Sequence, residues 1–585
     1  MAFQPRQVYP TGKTEFDRRS FLSGLREAEQ WCGAPDNEFV PIYPHVVAGK
    51  ELFSIDGATY ATVDPNNSVR VLARLPLHNL SDREDKAQLN YALSKVPAAQ
   101  ERWWKVPYQK RIELLEALAD IIRDRQWLFI AAMAIEGGKR PFPNGFGELQ
   151  EMIEFPLNNA ELAKQLYTKR SPVIPKFMCD LNGIQYRSKG PIVDIEPFNF
   201  AGAIPTDKIS SALVTGNAIV MKASGHTPLQ GYLLYQAIQD AFDAVKLGND
   251  GVVNFLSGHG GEMATFLLKN EHINGFTFTG SRDVFWQIQR EIMTQPRTHG
   301  GMMQMIAAET SGRNAMVVCN DADLDRAVVY AVNSLINNNG QTCSHLGDLV
   351  LESAVAEEFE DKFIAALEAI KYGDIKDLGN QCGALISREN AERYENILAK
   401  MDEKGLVERV WEKRIESKSM FDFAPRIHRV PELTASYADI VHEIRSTEIF
   451  APAVTMWTFS SLGEAKRILE ASDFRLTGTV HTSDFDKMQY FIRDVRWCGQ
   501  FYGLGGTTGA VVGQGFGGDA LSASSSDGTG ASTLQAIGKY VSMDNVALFF
   551  PSDASDIEKA QWHYELSTIM AVSPKFDPVK YIKGM

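Results

Sequence analysis

The chain has 585 residues, of which 44% are hydrophobic and 23% charged, and this composition excludes a disordered, collagen-like or coiled-coil protein. Its formal net charge of −14 argues against binding to nucleic acid or to an anionic membrane, because an acidic surface repels phosphate groups. The longest apolar run, 128–135, is shorter than the roughly 20 residues that cross a bilayer. Six cysteines without a CxxC pair or zinc-site spacing predict no metal site and a reducing compartment, either the cytoplasm or, in a eukaryote, the mitochondrial matrix.

Residues 1–190 predict a helical layer in which short strand-like segments accompany amphipathic helices. Apolar residues recur at helical spacing between 109 and 125, for example. From Pro191 onward, apolar strands alternate with helical segments, which is typical of a parallel sheet with crossover helices. The strands predicted in this part are 191–195, 218–222, 252–256, 275–279 and 303–308.

A second alternation of strands and helices begins near Asn314, which predicts a second α/β domain. Glycines dominate 503–518, but aromatic and aliphatic residues lie between them, and we therefore expect an ordered loop and not a flexible linker. Residues 546–550 predict an edge strand. The first elements predicted after Asn314 are a strand at 315–319, a helix at 323–336, a strand at 349–351 and a helix at 354–370.

Cys343 is the cysteine with the clearest chemical setting. It lies in GQTCS, where a predicted helix ends in a turn after three consecutive asparagines. Glycine and short polar neighbours leave room for a substrate, so Cys343 is a candidate nucleophile; the alternative is an incidental buried cysteine. Cys319 ends an apolar strand and is more consistent with an inert core position.

Two polar residues follow predicted strands, at the strand ends where α/β proteins place their working groups. Glu309 comes directly after 303–308 and is a candidate general base, with a helix-capping or ion-paired carboxylate as the alternative. Asn199, in EPFNF, is a candidate hydrogen-bond donor to an oxyanion, with a simple turn residue as the alternative.

Two further strand ends lead into turns that suit a nucleotide, Lys222-Ala223-Ser224-Gly225 and Gly280-Ser281. The G-x-G-x-x-G run at 513–518 follows no βαβ unit, and we do not assign it to a phosphate.

Six segments occur in the order in which the aldehyde dehydrogenase superfamily carries its equivalents: IEPFNF, MKAS, FTFTGS, AAETSGRN, GQTCS and TEIFAPAV. The resemblance covers roughly residues 50 to 550. Within the superfamily, the chain looks most like the L-glutamate γ-semialdehyde (1-pyrroline-5-carboxylate) dehydrogenase subfamily. The long insert between Ser281 and Glu309 and the segment 507–518 carry this closer likeness.

The resemblance implies an α/β, aldehyde dehydrogenase-like fold with a Rossmann-type nucleotide-binding domain, a second α/β catalytic domain and a small β oligomerisation flap. A homodimer or higher homo-oligomer is expected, because edge strands of such a flap pair between subunits. The expected divisions are 1–306 for the helical layer and nucleotide-binding domain, with a flap hairpin near 174–190, then 307–510 for the catalytic domain, 511–550 for the substrate-anchor loop and oligomerisation strand, and 551–585 for a C-terminal extension.

The resemblance also implies a covalent mechanism. Cys343 would attack an aldehyde to form a thiohemiacetal, whose oxyanion would accept hydrogen bonds from Asn199 and from the backbone N–H of Cys343. Hydride transfer to a nicotinamide would leave a thioester on Cys343. Glu309 would then activate water for hydrolysis to a carboxylate, which disfavours transfer to coenzyme A.

NAD is the expected cofactor and NADP the alternative. Gly225 takes the place where many NAD-preferring members carry an acidic residue, and without that carboxylate a 2′-phosphate is not repelled. The cofactor-binding positions implied by the resemblance are Lys222, Ser224, Gly280, Ser281, Glu448 and Phe450.

The substrate is expected to be a small aldehyde, with L-glutamate γ-semialdehyde, oxidised to glutamate, as first choice. Ser344 and Ser522 match serines that bind the α-carboxylate in that subfamily, whereas Asp519, Leu521 and Ala523 depart from its loop. Asp519 would repel a carboxylate if it faced the pocket. The alternatives are a dehydrogenase for a different, less polar aldehyde, a coenzyme A-acylating dehydrogenase, and a catalytically idle scaffold or binding protein.

Overall fold

The computed structural model describes residues 15–168, 181–258, 260–293, 305–416, 419–431, 437–508, 515–523, 531 and 533–548. None of the helices in these ranges has the length and apolar character needed to span a membrane. The helices are α1 (Glu15–Ala28), α2 (Arg83–Leu93), α3 (Val96–Trp104), α4 (Tyr108–Asp124), α5 (Gln126–Gly137), α6 (Phe146–Thr168), α7 (Ala203–Val214), α8 (Pro228–Ala244), α9 (Gly260–Lys269), α10 (Arg282–Met293), α11 (Leu324–Ile336), α12 (Ala356–Glu368), α13 (Arg388–Glu403), α14 (Tyr437–Arg445), α15 (Leu462–Glu470), α16 (Phe485–Arg493) and α17 (Leu534–Gly538).

The strands fall into two large sheets and three two-stranded ones. They are β1 (His45–Val47), β2 (Lys50–Leu52), β3 (Thr59–Asp64), β4 (Asn67–Pro76), β5 (Leu181–Ser188), β6 (Ile192–Ile195), β7 (Ile219–Ser224), β8 (Val253–Gly258), β9 (Gly275–Thr279), β10 (Met305–Glu309), β11 (Asn314–Val318), β12 (Leu346–Glu352), β13 (Glu408–Glu412), β14 (Arg426–Arg429), β15 (Ala453–Phe459), β16 (Phe474–Arg475), β17 (Thr477–His481), β18 (Gln500–Phe501), β19 (Asp519–Ala520) and β20 (Val541–Leu548).

The first large sheet has seven strands in the order β10-β9-β6-β7-β8-β1-β2. Strands β6 to β10 pair in parallel, and β1 pairs antiparallel with β8 and with β2. Strands β6, β7 and β8 are buried almost throughout, as expected for parallel strands with helices on both faces. The predicted parallel sheet is confirmed, and each predicted strand begins and ends within two residues of the observed one.

The carboxyl ends of β6, β7, β9 and β10 lie along one edge of this sheet. Ile195 pairs with Lys222 on one side and with Phe278 on the other, and Thr279 pairs with Glu309. The segments that leave these strands therefore begin side by side, so the register alone brings four of the candidate regions together. These regions are 196–199, 222–224, 280–281 and Glu309.

The second large sheet has the order β13-β14-β15-β12-β11-β17-β18, and only the pairing of β13 with β14 is antiparallel. The predicted helices at 323–336 and 354–370 correspond to α11 and α12. Asp323 caps α11 by accepting a hydrogen bond from the backbone N–H of Arg326. The two sheets divide between Glu309 and Asn314, a few residues after the expected boundary at 306, because β10 pairs with β9.

A helical layer covers the first sheet, as the sequence predicts for residues 1–190. Helix α4 packs against α6, α7 and α8, and the indole N–H of Trp103 donates to the carbonyl of Leu213 at 3.0 Å. The buried carboxylate of Glu136 at the end of α5 accepts hydrogen bonds of 2.9 Å from the backbone N–H groups of Leu229 and Gln230. Glu136 thus caps the first turn of α8 and fixes the layer to the sheet.

Strands β5 and β20 form a two-stranded antiparallel sheet, paired from Leu181 with Leu548 to Ser188 with Val541. The strand predicted at 546–550 begins earlier than expected, because the polar residues before Val546 also pair through their backbone. Residues 174–180 of the predicted flap hairpin lie outside the described residues, as do 549–550 and the 551–585 extension.

Candidate active site

Cys343 follows a turn that only a few residue types can form. After α11 ends, Asn338 and Asn339 have φ of 48° and 57°, and Gly340 has φ of 75°. Asparagine and glycine tolerate this left-handed conformation better than other residues. A Cβ at Gly340 would lie 2.3 Å from the backbone of Ala451 and of Pro452, so glycine also permits a close backbone approach.

The asparagine side chains then hold the turn in place. The Asn339 amide donates to the carbonyls of Gly138 and Ala384 at 2.9 and 3.0 Å, and its oxygen accepts from the backbone N–H of Gly383 at 2.9 Å. The three asparagines of the sequence are therefore a structural signal, and they place the nucleophile candidate between the helical layer and the second sheet.

The Cys343 thiol lies half-buried beside two carboxylates. Burial is the main cause that raises its pKa to about 12; the charges of Glu448 and Glu309 also raise the pKa, and the backbone N–H groups of Ser344 and Cys343 lower it. The carbonyl of Cys343 accepts a 2.8 Å hydrogen bond from the amide of Asn314 at the start of β11. The thiol is therefore protonated at neutral pH until a base or a ligand changes its surroundings.

Glu309 and Glu448 approach the thiol from different segments. The backbone N–H of Gly518 donates to the Glu309 carboxylate at 3.2 Å, and that of Gly312 donates to the Glu448 carboxylate at 2.9 Å. Burial raises the pKa of Glu448, while its hydrogen bonds from Gly312 and Ser311 oppose the rise. The structure thus brings Cys343, Glu309 and Glu448 into one cleft.

Asn199 lies next to the left-handed turn at residues 338–340, which precedes Cys343 and is called the nucleophile turn below. Its backbone carbonyl accepts hydrogen bonds from the Lys139 ammonium at 2.6 Å and from the Asn338 amide at 3.2 Å. The side-chain amide of Asn199 makes no hydrogen bond to another described residue, which leaves its N–H groups available to a ligand.

A buried ion pair supports Asn199, and the sequence analysis missed it. Lys139 pairs with Glu148, and their side chains are 3% and 1% exposed. The Glu148 carboxylate also accepts from the backbone N–H groups of Gly202 and Ala203, at 2.9 and 3.2 Å, at the start of α7. Nothing in the local pattern marks these two residues, since each lies near the end of an otherwise ordinary helix.

The strand-end turns on the other side of the cleft fit a dinucleotide. The Lys222 ammonium is buried at the end of β7 and makes no hydrogen bond or ion pair with another described residue; burial lowers its pKa to about 8. One carboxyl oxygen of the neighbouring Glu196 is also buried without a partner. Such polar groups at strand ends suit the hydroxyl groups of a ribose.

The remaining cofactor candidates border the same edge. Gly280 donates to the carbonyl of Glu309 at 3.2 Å, and the Ser281 hydroxyl accepts from the N–H of Val284 in the first turn of α10. The Ser224 hydroxyl accepts from the N–H of His226 at 3.3 Å. The rings of Phe450 and Phe198 meet edge to face, with centroids 6.0 Å apart, and thereby join the Glu448 segment to the Asn199 segment.

The two predicted substrate serines differ in their environment. Ser344 is buried beside Cys343, and its hydroxyl makes no hydrogen bond to another described residue. The hydroxyl of Ser522 is fully buried, donates to the carbonyl of Ser311 at 2.8 Å and accepts from the N–H of Arg475 at 3.1 Å. Because its proton is used inside the protein, Ser522 in this structure does not offer a donor to a substrate carboxylate.

Asp519 is neutralised by cations. Its carboxylate lies 2.8 Å from a guanidinium nitrogen of Arg496 and 3.8 Å from one of Arg475. The repulsion expected if Asp519 faced the pocket is therefore offset by two positive charges.

A further acidic group, absent from the sequence analysis, lies near the nucleophile. Burial raises the pKa of Glu151, on α6, to about 8, and its carboxyl group has no hydrogen-bond or ion-pair partner among the described residues. The charges of Cys343 and Glu151 both act on the hydroxyl of Tyr502, so this ring is close to both. A half-buried carboxyl group without a partner among the described residues suits a cationic ligand group.

These two sheets and the cysteine cleft between them define a class of enzyme. The aldehyde dehydrogenase family model matches residues 57–542, and the chain belongs to that family. It is an NAD(P)-dependent oxidoreductase that acts on a small-molecule aldehyde.

The most similar relatives point to one branch of the family. The chain is 28% identical over 500 residues to 1-pyrroline-5-carboxylate dehydrogenase of Staphylococcus saprophyticus subsp. saprophyticus, covering 85% of this chain and 91% of that protein. A protein of the same name from a Geobacillus species is 26% identical over 524 residues, covering 89% and 95%. The solved structure of 1-pyrroline-5-carboxylate dehydrogenase from Thermus with bound NAD has a TM-score of 0.81 and 25% identity, covering 94% of this chain and 100% of that one.

Proposed function

We propose that the protein oxidises an aldehyde to a carboxylate through a covalent intermediate on Cys343, with L-glutamate γ-semialdehyde as the substrate and glutamate as the product. The observation that carries this proposal is the cleft itself, where the Cys343 thiol lies near the Glu309 carboxylate and near the Asn199 segment. A nucleophile, a base and a hydrogen-bond donor are the groups that acyl transfer requires.

Cys343 performs the first step. The thiol gives its proton to the Glu309 carboxylate, and the thiolate bonds to the aldehyde carbon to form a thiohemiacetal oxyanion. The free amide of Asn199 and the backbone N–H of Cys343 donate hydrogen bonds to this oxyanion. Loss of one such donor typically costs about 10²–10³ in rate.

The dinucleotide would be held by polar groups at the ends of β6 and β7, by the turns at the strand ends, and by the Glu448 segment: Lys222, Glu196, Ser224, Gly280, Ser281, Glu448 and Phe450. When bound, NAD(P)+ supplies the hydride acceptor that turns the thiohemiacetal into a thioester. Glu309 releases the first proton to solvent and is again a carboxylate. A water molecule then gives one proton to Glu309 and bonds to the thioester carbon. The C–S bond breaks, and the proton of the new carboxylic acid passes to the Cys343 thiolate, which leaves a carboxylate product and restores the thiol.

Two features of the cleft favour an amino-acid semialdehyde. The Ser344 hydroxyl and the Glu151 carboxyl group have no partner among the described residues, so the first can donate to the α-carboxylate and the second can accept from the α-ammonium. The relatives named 1-pyrroline-5-carboxylate dehydrogenase agree with this substrate. The internal hydrogen bonds of Ser522 favour the second candidate, a less polar aldehyde, because they remove one carboxylate donor.

A panel of aldehydes with NAD and NADP tests the proposal. We expect cofactor reduction to be fastest with glutamate γ-semialdehyde and to be absent from the Cys343→Ala protein. Cys319→Ala is the matched control, since Cys319 is a fully buried residue beyond the end of β11. Turnover by Cys343→Ala would refute the covalent mechanism. If an uncharged aldehyde is oxidised fastest, the second candidate is supported. If no aldehyde is oxidised, the protein is an idle homologue.

We also propose that the chain divides functionally near Glu309, and that the sheet of β5 and β20 joins subunits into a homodimer or larger homo-oligomer. Among the described residues, each of the two strands pairs along one edge only, and an open strand edge pairs readily with another chain. A cytoplasmic location stays a prediction from the cysteine pattern.

A further inference from the structure

A buried cluster of charges lies directly behind the nucleophile turn. Arg313, Asp348 and Arg445 have side chains that are 2%, 0% and 1% exposed. Arg313 precedes β11, Asp348 lies in β12, and Arg445 ends α14. Burying three charges is costly unless hydrogen bonds satisfy the charged groups.

Asp348 is the centre of the cluster. Its carboxylate accepts two hydrogen bonds from Arg313, at 2.8 and 2.9 Å, one from Arg445, and one from the indole N–H of Trp457 at 2.7 Å. Burial would raise the pKa of Asp348, but the two guanidinium groups outweigh burial and hold the pKa below its ordinary value. The Arg313–Asp348 contact is bidentate and therefore fixes orientation as well as distance.

Arg313 connects this cluster to both sides of the cleft. Its guanidinium donates to the carbonyl of Thr447, the residue before Glu448. The preceding residue, Gly312, donates to the Glu448 carboxylate at 2.9 Å, and the following residue, Asn314, donates to the Cys343 carbonyl at 2.8 Å. Three consecutive residues therefore bind the Glu448 segment and the nucleophile turn at the same time.

We propose that Arg313 is a positioning residue, which Asp348 and Arg445 hold in place so that Cys343 and Glu448 keep a fixed separation. The inference rests on the proposed roles of these two residues. A lysine at 313 keeps the charge but cannot form the bidentate contact and the Thr447 contact together, because a single ammonium replaces the planar guanidinium. Arg313→Lys is therefore the sharpest test.

Arg426→Lys is the matched control. Arg426 in β14 makes an equally bidentate contact with Glu395, at 2.8 and 2.7 Å, and Arg426 is 4% exposed. Both variants should lower the urea midpoint of unfolding. Only Arg313→Lys should lower kcat, by about 10²-fold for a displacement near 1 Å, and raise the KM for the cofactor in the same protein.

Asp348→Asn gives an independent measurement, since it removes the charged carboxylate that binds the Arg313 guanidinium and leaves Arg313 itself unchanged. We expect it to lower kcat and raise the cofactor KM in the same direction as Arg313→Lys. Folded Arg313→Lys protein with the kcat and cofactor KM of the wild type, or with changes no larger than those of Arg426→Lys, would overturn the inference while leaving the Cys343 mechanism intact. An active Cys343→Ala protein would instead overturn the proposed function and this inference together.

Discussion

Three influences act on the sulfur of Cys343: burial, the carboxylates of Glu448 and Glu309, and the backbone N–H groups of Cys343 and Ser344. Burial and the like charges dominate, so the free enzyme holds a protonated thiol. A thiolate on Cys343 forms only when the thiol proton moves to a base, and a protonated thiol is oxidised and alkylated more slowly than a thiolate.

The pH dependence of alkylation follows from the raised pKa of Cys343, which is about 12. Below that value the thiolate fraction rises with pH, and we expect the rate of Cys343 modification by iodoacetamide to increase roughly tenfold per pH unit between about pH 7 and pH 9. Mass spectrometry of the modified peptide measures this rate and separates it from the other cysteines. A plateau below pH 8 would contradict a raised pKa.

Glu151 is the residue whose substitution separates the substrate candidates. The raised pKa keeps the Glu151 carboxyl group mainly protonated in the free protein, and a bound ammonium group would favour its ionised form. Glu151→Gln keeps the shape but cannot ionise, and we expect the KM for glutamate γ-semialdehyde to rise about ten- to a hundredfold, since a hydrogen bond to a charged group contributes roughly 1.5–3 kcal/mol. The KM for an uncharged aldehyde of similar length should not change. Steady-state kinetics with both aldehydes test this expectation, and an equal rise for the two would show that Glu151 does not recognise an ammonium group.

At the scale of elements, the site depends on how strand ends and turns meet. The parallel register places Lys222, Ile195, Phe278 and Glu309 along one sheet edge, and the left-handed turn at 338–340 delivers Cys343 to it from the second sheet. The turn is compact, because backbone atoms of another loop fill the space beside its glycine.

Gly340→Ala tests the turn. A methyl group at Gly340 meets the backbone of Ala451 and Pro452 at 2.3 Å, whereas Gly405 has a similar φ of 69° and open space around it. Gly405→Ala should therefore cost only the conformational strain, about 1–2 kcal/mol. We expect Gly340→Ala to cost more and also to lower kcat, as measured by urea unfolding and steady-state kinetics. Equal effects of the two substitutions would contradict a role for close backbone approach at Gly340.

At the scale of the whole molecule, the cleft is a junction of the helical layer and the two sheets. The Lys139–Glu148 pair joins α5 and α6 to the start of α7, and Asn339 joins the nucleophile turn to Gly138 beyond α5. The Phe198–Phe450 contact links the two sheets. Changes in any one layer should therefore alter the cleft.

The proposed homo-oligomer can be tested by the mass of the protein in solution. Light scattering should give a mass of at least twice the 65.0 kDa of one chain. Ala547→Pro, which removes a backbone donor from β20, should lower that mass, while Ala547→Val keeps the donor and should not. A wild-type monomer would exclude the proposed role of the β5–β20 sheet.

The amino-acid sequence by itself determined the alternating elements, the parallel sheet and the nucleophile turn. These features come from local patterns: hydrophobic periodicity, position at a strand end, and the run of asparagines before Cys343. A local pattern predicts the backbone conformation that a segment can adopt. The sequence also placed Glu309, Asn199 and Lys222 at strand ends, where parallel topology brings side chains together.

Only the tertiary structure decided which side chains are free to act. Ser522 and Ser344 are both serines that the sequence predicts as substrate donors. The hydroxyl of Ser522 donates to the carbonyl of Ser311, whereas the hydroxyl of Ser344 has no hydrogen-bond partner among the described residues. Arg313 and Asp348 are 35 residues apart, and Lys139 and Glu148, nine residues apart, lie on opposite sides of the break between α5 and α6. Each pair meets only when its helices and strands pack. Hydrogen-bond partners and burial depend on that packing, and no local pattern encodes them.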